Sequence, residues 1–82
     1  MSPDRRVVKE WLKTVDREEL DAMLQAAIFT PDELKYINMR LMEGMTFKEI
    51  AIDQLLTRKS VARIARRISA KMYKSGRKLG YF

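Results

Sequence analysis

Residues 46–64 read TFKEIAIDQLLTRKSVARI, and this stretch decides the fold. Thr46 stands three residues before Glu49, which is the spacing of a helical capping box. Thr57 provides a second helix cap, and apolar residues follow it at helical spacing. The stretch therefore predicts a short helix, a three-residue turn and a longer helix, in the order of a helix-turn-helix.

The two helices of this motif are expected to cross closely at Ala51. A small side chain suits that position, because a larger one would push the two backbones apart. The apolar residues expected to seal the crossing against the preceding helix are Ile50, Leu56, Val61 and Ile64.

Three further helix starts precede the motif. Capping-box spacing recurs at Asp16 with Glu19 and at Thr30 with Glu33, and Ser2 begins a weaker start. Apolar stripes at helical spacing follow these starts, namely Val7, Val8, Trp11, Leu12 and Val15, then Leu20, Met23, Leu24, Ala27 and Ile28, then Leu34, Ile37 and Leu41. These patterns predict an all-α fold, a small bundle of about five helices that contains the helix-turn-helix.

Four residues outside the motif carry specific expectations. Gly44 is expected to end the third helix in the left-handed conformation. Trp11 is expected in the core. Tyr36 and Met39 lie off the stripe of the third helix, so they either pack against a second layer or form a partner surface.

Charge is distributed unevenly along the chain. Residues 1–56 hold eight basic and eleven acidic side chains, a net of −3, whereas residues 57–82 hold nine basic ones and no acid, a net of +9. The two sum to the net charge of +6. The C-terminal third of the chain thus has many cations and no acidic residue among them. This distribution is typical of proteins that bind polyanions.

The fifth predicted helix, residues 57–74, separates these charges from its apolar residues. Val61, Ile64, Ala65, Ile68 and Met72 form its buried stripe, and the opposite face carries Lys59, Arg63, Arg66, Arg67 and Lys74. Arg58 and Lys59 occupy the first turn, where the helix dipole favours acids. This departure from the rule that the other helix starts follow suggests a function at that end of the helix.

The residues from Thr30 through Glu43-Gly44 and Thr46 to Ser60-Val61 resemble region 4 of bacterial sigma factors, and LuxR-type regulators share the local pattern. The resemblance covers residues 30–72, and a weaker likeness to the Trp-repressor group lies in 24–34 and 76–81. It implies that bases are read by Arg58, Lys59, Ala62, Arg63 and Arg66, and that Thr46 and Lys48 contact phosphates. The remaining cations expected at phosphates are Arg67, Lys71, Lys74, Arg77 and Lys78.

The sequence departs from the sigma pattern at the turn of the motif. Gln54 stands where that family has an apolar residue, and Leu55 stands where it has glycine. Glycine there serves a positive φ, which leucine adopts only at a steric cost. We therefore expect a rebuilt turn or a shifted register.

Composition excludes several classes of site. The chain has no His and no Cys, so zinc sites that depend on them are impossible, and we expect no metal and no cofactor. The acid pairs Glu18/Glu19 and Asp32/Glu33 lie in first helical turns, where capping explains them, so we expect no enzyme. The sequence shows no signal peptide and no apolar run of membrane-spanning length, which predicts a cytoplasmic protein.

The leading hypothesis is a single domain, residues 1–82, that binds double-stranded DNA sequence-specifically and regulates transcription. Residues 1–29 would offer a partner surface, 30–74 the DNA-binding core with recognition helix 58–74, and 75–82 a basic tail. Alternatives are a sigma-like accessory factor on RNA polymerase or a small phage DNA-packaging protein. A membrane-surface role is disfavoured, because the apolar stripe of the basic helix lacks large anchors. A homodimer or RNA polymerase is the expected protein partner.

Overall fold

A computed structural model describes residues 3–82, with side chains from Arg5 onward. Its helices are α1 (Pro3–Thr14), α2 (Arg17–Ala26), α3 (Pro31–Ile37), α4 (Phe47–Gln54) and α5 (Arg58–Leu79). A π-helical segment, Asn38–Met42, continues α3. The described residues, 3–82, contain no strand. The predicted all-α class with about five helices is therefore confirmed. The cap predicted at Ser2 lies outside the described residues.

Local capping chemistry sets where α2, α3 and α4 begin. The Thr30 side chain accepts from the Glu33 backbone N–H at 3.2 Å, and the Glu33 carboxylate accepts from the Thr30 N–H at 2.9 Å. Thr46 and Glu49 form the same reciprocal pair at the start of α4. At α2, the Asp16 carboxylate accepts from the Glu19 N–H at 2.8 Å, which is the first of the two capping-box bonds. All three predicted caps therefore form.

The π-helical segment ends at a left-handed glycine, as expected. The Glu43 N–H donates to the Asn38 carbonyl at 3.1 Å, five residues back, which is the π-helical pattern. Gly44 follows with φ +68°, and the Met45 N–H donates to the Met39 carbonyl at 3.0 Å. Positive φ costs glycine nothing, so the chain can reverse here and enter α4.

The chain divides into two compact units, and the boundary lies within α5. The central unit is Phe29–Arg67, and the terminal unit joins Ile68–Phe82 to the described residues up to Ile28. Side chains buried in the central unit are Glu33, Tyr36, Ile37, Met39, Ile50, Ala51, Val61 and Ala65; those in the terminal unit are Val8, Leu20, Met23, Ile68, Met72 and Ser75.

The buried face of α3 differs from the predicted stripe. Leu34 is 48% exposed, whereas Glu33, Tyr36 and Ile37 are buried. The face is rotated towards Glu33 and Tyr36, because Glu33 is held by its capping bond and the Tyr36 ring lies 6.4 Å from the Phe47 ring. Leu34 was therefore wrongly assigned to the core.

Tyr36 and Met39 are buried, so of the two expectations the packed second layer is confirmed. Met39 lies close to the end of α4, where the Gln54 side-chain amide is 3.8 Å from the Met39 sulfur.

Aromatic side chains cluster in the terminal unit. The Trp11 ring is stacked on Tyr81 with centroids 5.4 Å apart, and it meets the edge of Phe82 at 5.6 Å. Tyr73 is stacked on Phe82 at 5.7 Å. Trp11 is thus half-buried against Tyr81 and Phe82, so its expected core position is confirmed only in part.

Helix α5 is longer than predicted. It was expected to end at residue 74 before a basic tail, but it continues through Leu79. Ser75 is buried, and Gly76 leaves room for the Phe82 ring, where a Cβ would overlap it. Gly80 then takes φ +82°, and the Tyr81 N–H donates to the Gly76 carbonyl at 2.8 Å. Most of the predicted tail is therefore helix.

Candidate nucleic-acid interface

The turn between α4 and α5 keeps the predicted three-residue length and register. Leu55 takes the left-handed conformation, φ 56° and ψ 43°, and ends α4. The Leu56 N–H donates to the Ala51 carbonyl at 2.8 Å. Thr57 Oγ1 accepts from the Ser60 N–H at 3.1 Å and donates to Ser60 Oγ, so a serine hydroxyl stands where the other boxes have a glutamate.

Leu55 overturns the expectation of a rebuilt or shifted turn. Leucine takes the backbone conformation that glycine would adopt there, and its side chain is 92% exposed. A non-glycine residue in this region carries a steric penalty of roughly 1–2 kcal/mol. Leu55 therefore holds this turn in a strained backbone conformation.

Most residues assigned to the crossing of α4 and α5 are buried. Ile50, Ala51 and Val61 are buried, and Ile64 is half-buried. Leu56 is 42% exposed, so its assignment to the seal was wrong. Its position in the turn, beyond the last residue of α4, leaves its side chain partly in solvent.

The expected base-reading residues occupy one exposed side of α5. Arg58, Lys59, Arg63 and Arg66 are exposed, and Ala62 between them is half-buried. None of these four cations makes an ion pair with any residue that the structure describes. The predicted buried stripe is buried at Val61, Ala65, Ile68 and Met72 and half-buried at Ile64.

Three of the expected phosphate contacts have partners within the protein. Arg67 Nε donates to Glu33 Oε2 at 3.4 Å, and Lys71 Nζ donates to the Ile28 carbonyl at 3.0 Å. Arg77 donates to the Tyr73 hydroxyl at 3.3 Å and lies over the Tyr73 ring. Three of the nine cations of residues 57–82 therefore have partners within the protein, contrary to what the sequence alone suggested. Folding brings Glu33 to Arg67 and the Ile28 carbonyl to Lys71, and helical spacing brings Tyr73 to Arg77.

The other expected phosphate contacts are exposed. Lys74 and Lys78 lie on the second half of α5, and Thr46 and Lys48 lie at the start of α4. The Thr46 backbone N–H, which donates to the Glu49 carboxylate at 2.8 Å, holds the pKa of Glu49 below its ordinary value of 4.5, and the neighbouring Thr46 side chain lowers it further. Glu49 is thus ionised at neutral pH, and its charge lies beside Thr46 and Lys48.

Sequence reasoning missed two features of the central unit. Glu33 was assigned to capping alone, yet it is 1% exposed and also pairs with Arg67. Ile52, Leu55 and Leu56 are exposed aliphatic side chains at the end of α4 and in the turn. The helical position of Glu33 on the side of Ile37 was a signal for its burial; no local signal marks the exposed aliphatic residues.

A groove of about 270 Å³ opens beside the turn. Its lining is mainly apolar and includes Tyr36, Met39, Ile64 and Leu56, with Asp32 and Gln54 as the polar members. No group of three or more acidic side chains that could hold a metal ion occurs among the described residues. No helix in the described part of the chain has the length and apolar character to cross a bilayer.

Comparison of the chain with protein-family models, with curated protein sequences and with solved structures finds no match.

Proposed function

We propose that the protein binds double-stranded DNA through α5 and the start of α4, and that it acts in the cytoplasm as a sequence-specific regulator of transcription. One observation carries this proposal: Arg58, Lys59, Arg63 and Arg66 are all exposed on α5, whose other side is buried along Val61 and Ala65. Cationic side chains on one face of a helix can bind a polyanion together when no acidic side chain pairs with them.

In this proposal α4, the Leu55–Thr57 turn and α5 act as a helix-turn-helix, with the first turns of α5 in the major groove. At about 1.5 Å per residue, a helix of 22 residues is roughly 33 Å long, whereas the groove is about 12 Å wide. Only the first turns of α5 can therefore lie deep in the groove. The resemblance of residues 30–72 to sigma region 4 supports the same docking.

In this docking, one set of residues contacts the bases and another contacts the phosphates. Arg58, Lys59, Ala62, Arg63 and Arg66 face the base edges, where arginine can donate two hydrogen bonds to guanine. Contacts to phosphates come from Thr46 and Lys48 at the start of α4 and from Arg67, Lys71, Lys74, Arg77 and Lys78 along the rest of α5. Phosphate contacts fix the register of the protein and carry no sequence information themselves.

A protein partner follows from the size of the interface. One such motif reads about four to six base pairs, and each contributes about 1–3 kcal/mol of discrimination, too little against a genome of competing sites. A second copy of the chain or RNA polymerase would supply the missing contacts.

A second candidate is a sigma-like accessory factor that binds RNA polymerase, with DNA contact secondary. The exposed aliphatic residues Ile52, Leu55 and Leu56 favour it, because exposed apolar side chains grouped in one segment are typical of protein-binding surfaces.

The test is selection of bound sequences from random duplexes, with the mass of the complex measured in parallel. A palindromic consensus bound at twice the monomer mass supports a homodimeric regulator. A single short site bound only with polymerase supports the accessory factor. Failure to enrich any sequence with or without polymerase contradicts both.

A matched pair of variants controls for net charge. Replacing Arg58, Arg63 and Arg66 by alanine removes three exposed cations from the proposed interface, and replacing Arg6, Lys9 and Lys13 removes three from α1. The first variant is expected to lose the selected sequence, and the second to keep it. Equal losses would mean that binding depends on net charge alone and not on this face of α5.

A further inference from the structure

Glu33 is a carboxylate with 1% of its side chain exposed, and its two oxygens serve two different helices. Oε1 accepts from the Thr30 N–H at 2.9 Å, at the start of α3. Oε2 accepts from Arg67 Nε at 3.4 Å, on α5. A buried charge is tolerated when it is paired and hydrogen-bonded, and Glu33 meets both conditions.

Arg67 donates a hydrogen bond from Nε to Glu33, yet most of its side chain is exposed to solvent. Its side chain is 59% exposed although its Nε–H is held by Glu33. A guanidinium has five N–H donors in one plane, so a bond at Nε leaves the four donors of the two terminal nitrogens. Holding Nε also restricts the orientation of those four donors, whose planar fork matches the geometry of a phosphate.

We propose that Glu33 is a positioning residue that orients Arg67 for one phosphate of the DNA backbone. This rests on the function proposed above and adds a phosphate subsite built from α3 and α5. An arginine held in its binding geometry loses less side-chain freedom when a phosphate arrives, so it binds more tightly than a free one.

The sign of one substitution separates positioning from simple charge. Removing a negative charge from a DNA-binding protein strengthens its attraction to phosphates, so charge alone predicts that Glu33→Gln tightens binding. Loss of positioning predicts that it weakens binding. Glutamine is accepted at this position of a capping box, so the start of α3 is retained.

The experiment measures the dissociation constant of the full chain for a selected duplex, with Glu49→Gln as the matched control. Glu49 caps α4 as Glu33 caps α3, but it is exposed and makes no ion pair within the described residues. We expect Glu33→Gln to weaken binding roughly three- to tenfold, the equivalent of one modest hydrogen bond. Glu49→Gln is expected to leave binding unchanged or tighten it.

A double-mutant cycle assigns the effect to Arg67. The Glu33→Gln penalty is expected to disappear when Arg67 is already alanine, since nothing remains to be positioned. A structural role alone would give the same penalty in both backgrounds, which would overturn the proposal. Tightening by Glu33→Gln would overturn it too.

A second variant keeps the proposal testable if Glu33→Gln does not fold. Arg67→Lys preserves the charge but not the planar fork, so it is expected to bind several-fold more weakly than the native chain. Unchanged affinity would overturn the proposal. If the native chain binds DNA and Arg63→Ala weakens it, a failure here concerns Glu33 alone; if the native chain binds no duplex, both proposals fail.

Discussion

Two features of Leu55 destabilise the folded protein. It holds a positive φ that glycine adopts freely, and it exposes 92% of an aliphatic side chain. Neither cost is offset by packing within the described residues. Leu55 therefore lowers the free energy of unfolding. Such destabilising residues are typical of positions that contact a partner.

Replacing Leu55 by glycine is expected to stabilise the protein. The substitution relieves roughly 1–2 kcal/mol of left-handed strain and costs about 0.5–1 kcal/mol in chain entropy, so a net gain of up to about 1.5 kcal/mol in unfolding free energy is expected. Urea unfolding measures it. Leu55→Ala, which keeps the strain, is the control and should be nearly neutral. A destabilised glycine variant would mean that the leucine side chain makes stabilising contacts.

Arg63 and Lys74 separate base reading from phosphate contact within one helix. Both are exposed on α5, and at 1.5 Å per residue they are about 16 Å apart along its axis. Arg63→Ala is expected to cost about 1–3 kcal/mol on the selected site and to relax base preference. Lys74→Ala is expected to weaken all duplexes alike and to lower the salt slope by about one.

Affinity for selected and scrambled duplexes at two salt concentrations measures both effects, with a thermal melt as control for folding. If Lys74→Ala changed sequence preference and Arg63→Ala did not, the docking of α5 would be reversed.

At the scale of elements, the starts of the helices and the buried stripe of α5 could be predicted, but the buried face of α3 could not. The Thr30 and Thr46 boxes form as expected, because a capping box uses residues within four positions of each other. Leu34 was assigned to the wrong face, because burial on α3 depends on Tyr36 meeting Phe47. The end of α5 was missed because its last turn is covered by an aromatic ring from residue 82.

Ala51 tests whether α4 approaches its neighbours closely. Ala51 is buried, so Ala51→Leu overpacks that position and is expected to cost about 1–3 kcal/mol of unfolding free energy. The control is Ile52→Leu, which introduces leucine at the next position. Ile52 is 67% exposed, so this substitution should leave stability unchanged. Thermal melts compare the two. A native melting temperature for Ala51→Leu would show that space is available at this position.

Gly76 tests the aromatic cluster of the terminal unit. A Cβ there would overlap the Phe82 ring and lie 2.9 Å from the end of Met23, so Gly76→Ala is expected to displace Phe82. Alanine gains about 1 kcal/mol of helix propensity, which offsets part of the lost packing. The measurement is Trp11 fluorescence, because Phe82 covers that ring; a red shift is expected, matched by Phe82→Ala. Unshifted emission in Gly76→Ala would mean that Phe82 stays in place.

At the scale of the whole molecule, the sequence predicted the amount of charge fully and its arrangement only in part. The nine cations of residues 57–82 could be counted, and helical spacing placed Arg63 and Arg66 on the exposed side of α5. The pairing of Arg67 with Glu33 could not be predicted, because the two are 34 residues apart in sequence. A contact at that separation depends on the packing of the central unit, which no local pattern encodes.

The central claim is that the exposed cations of α5 bind duplex DNA, and the salt dependence of that binding tests it most directly. If about five of the predicted phosphate contacts form, log K against log salt should fall with a slope near −4 to −5. Anionic vesicles of matched charge serve as the competing polyanion and should bind more weakly than duplex. A flat salt response, or equal affinity for vesicles and duplex, would contradict the account.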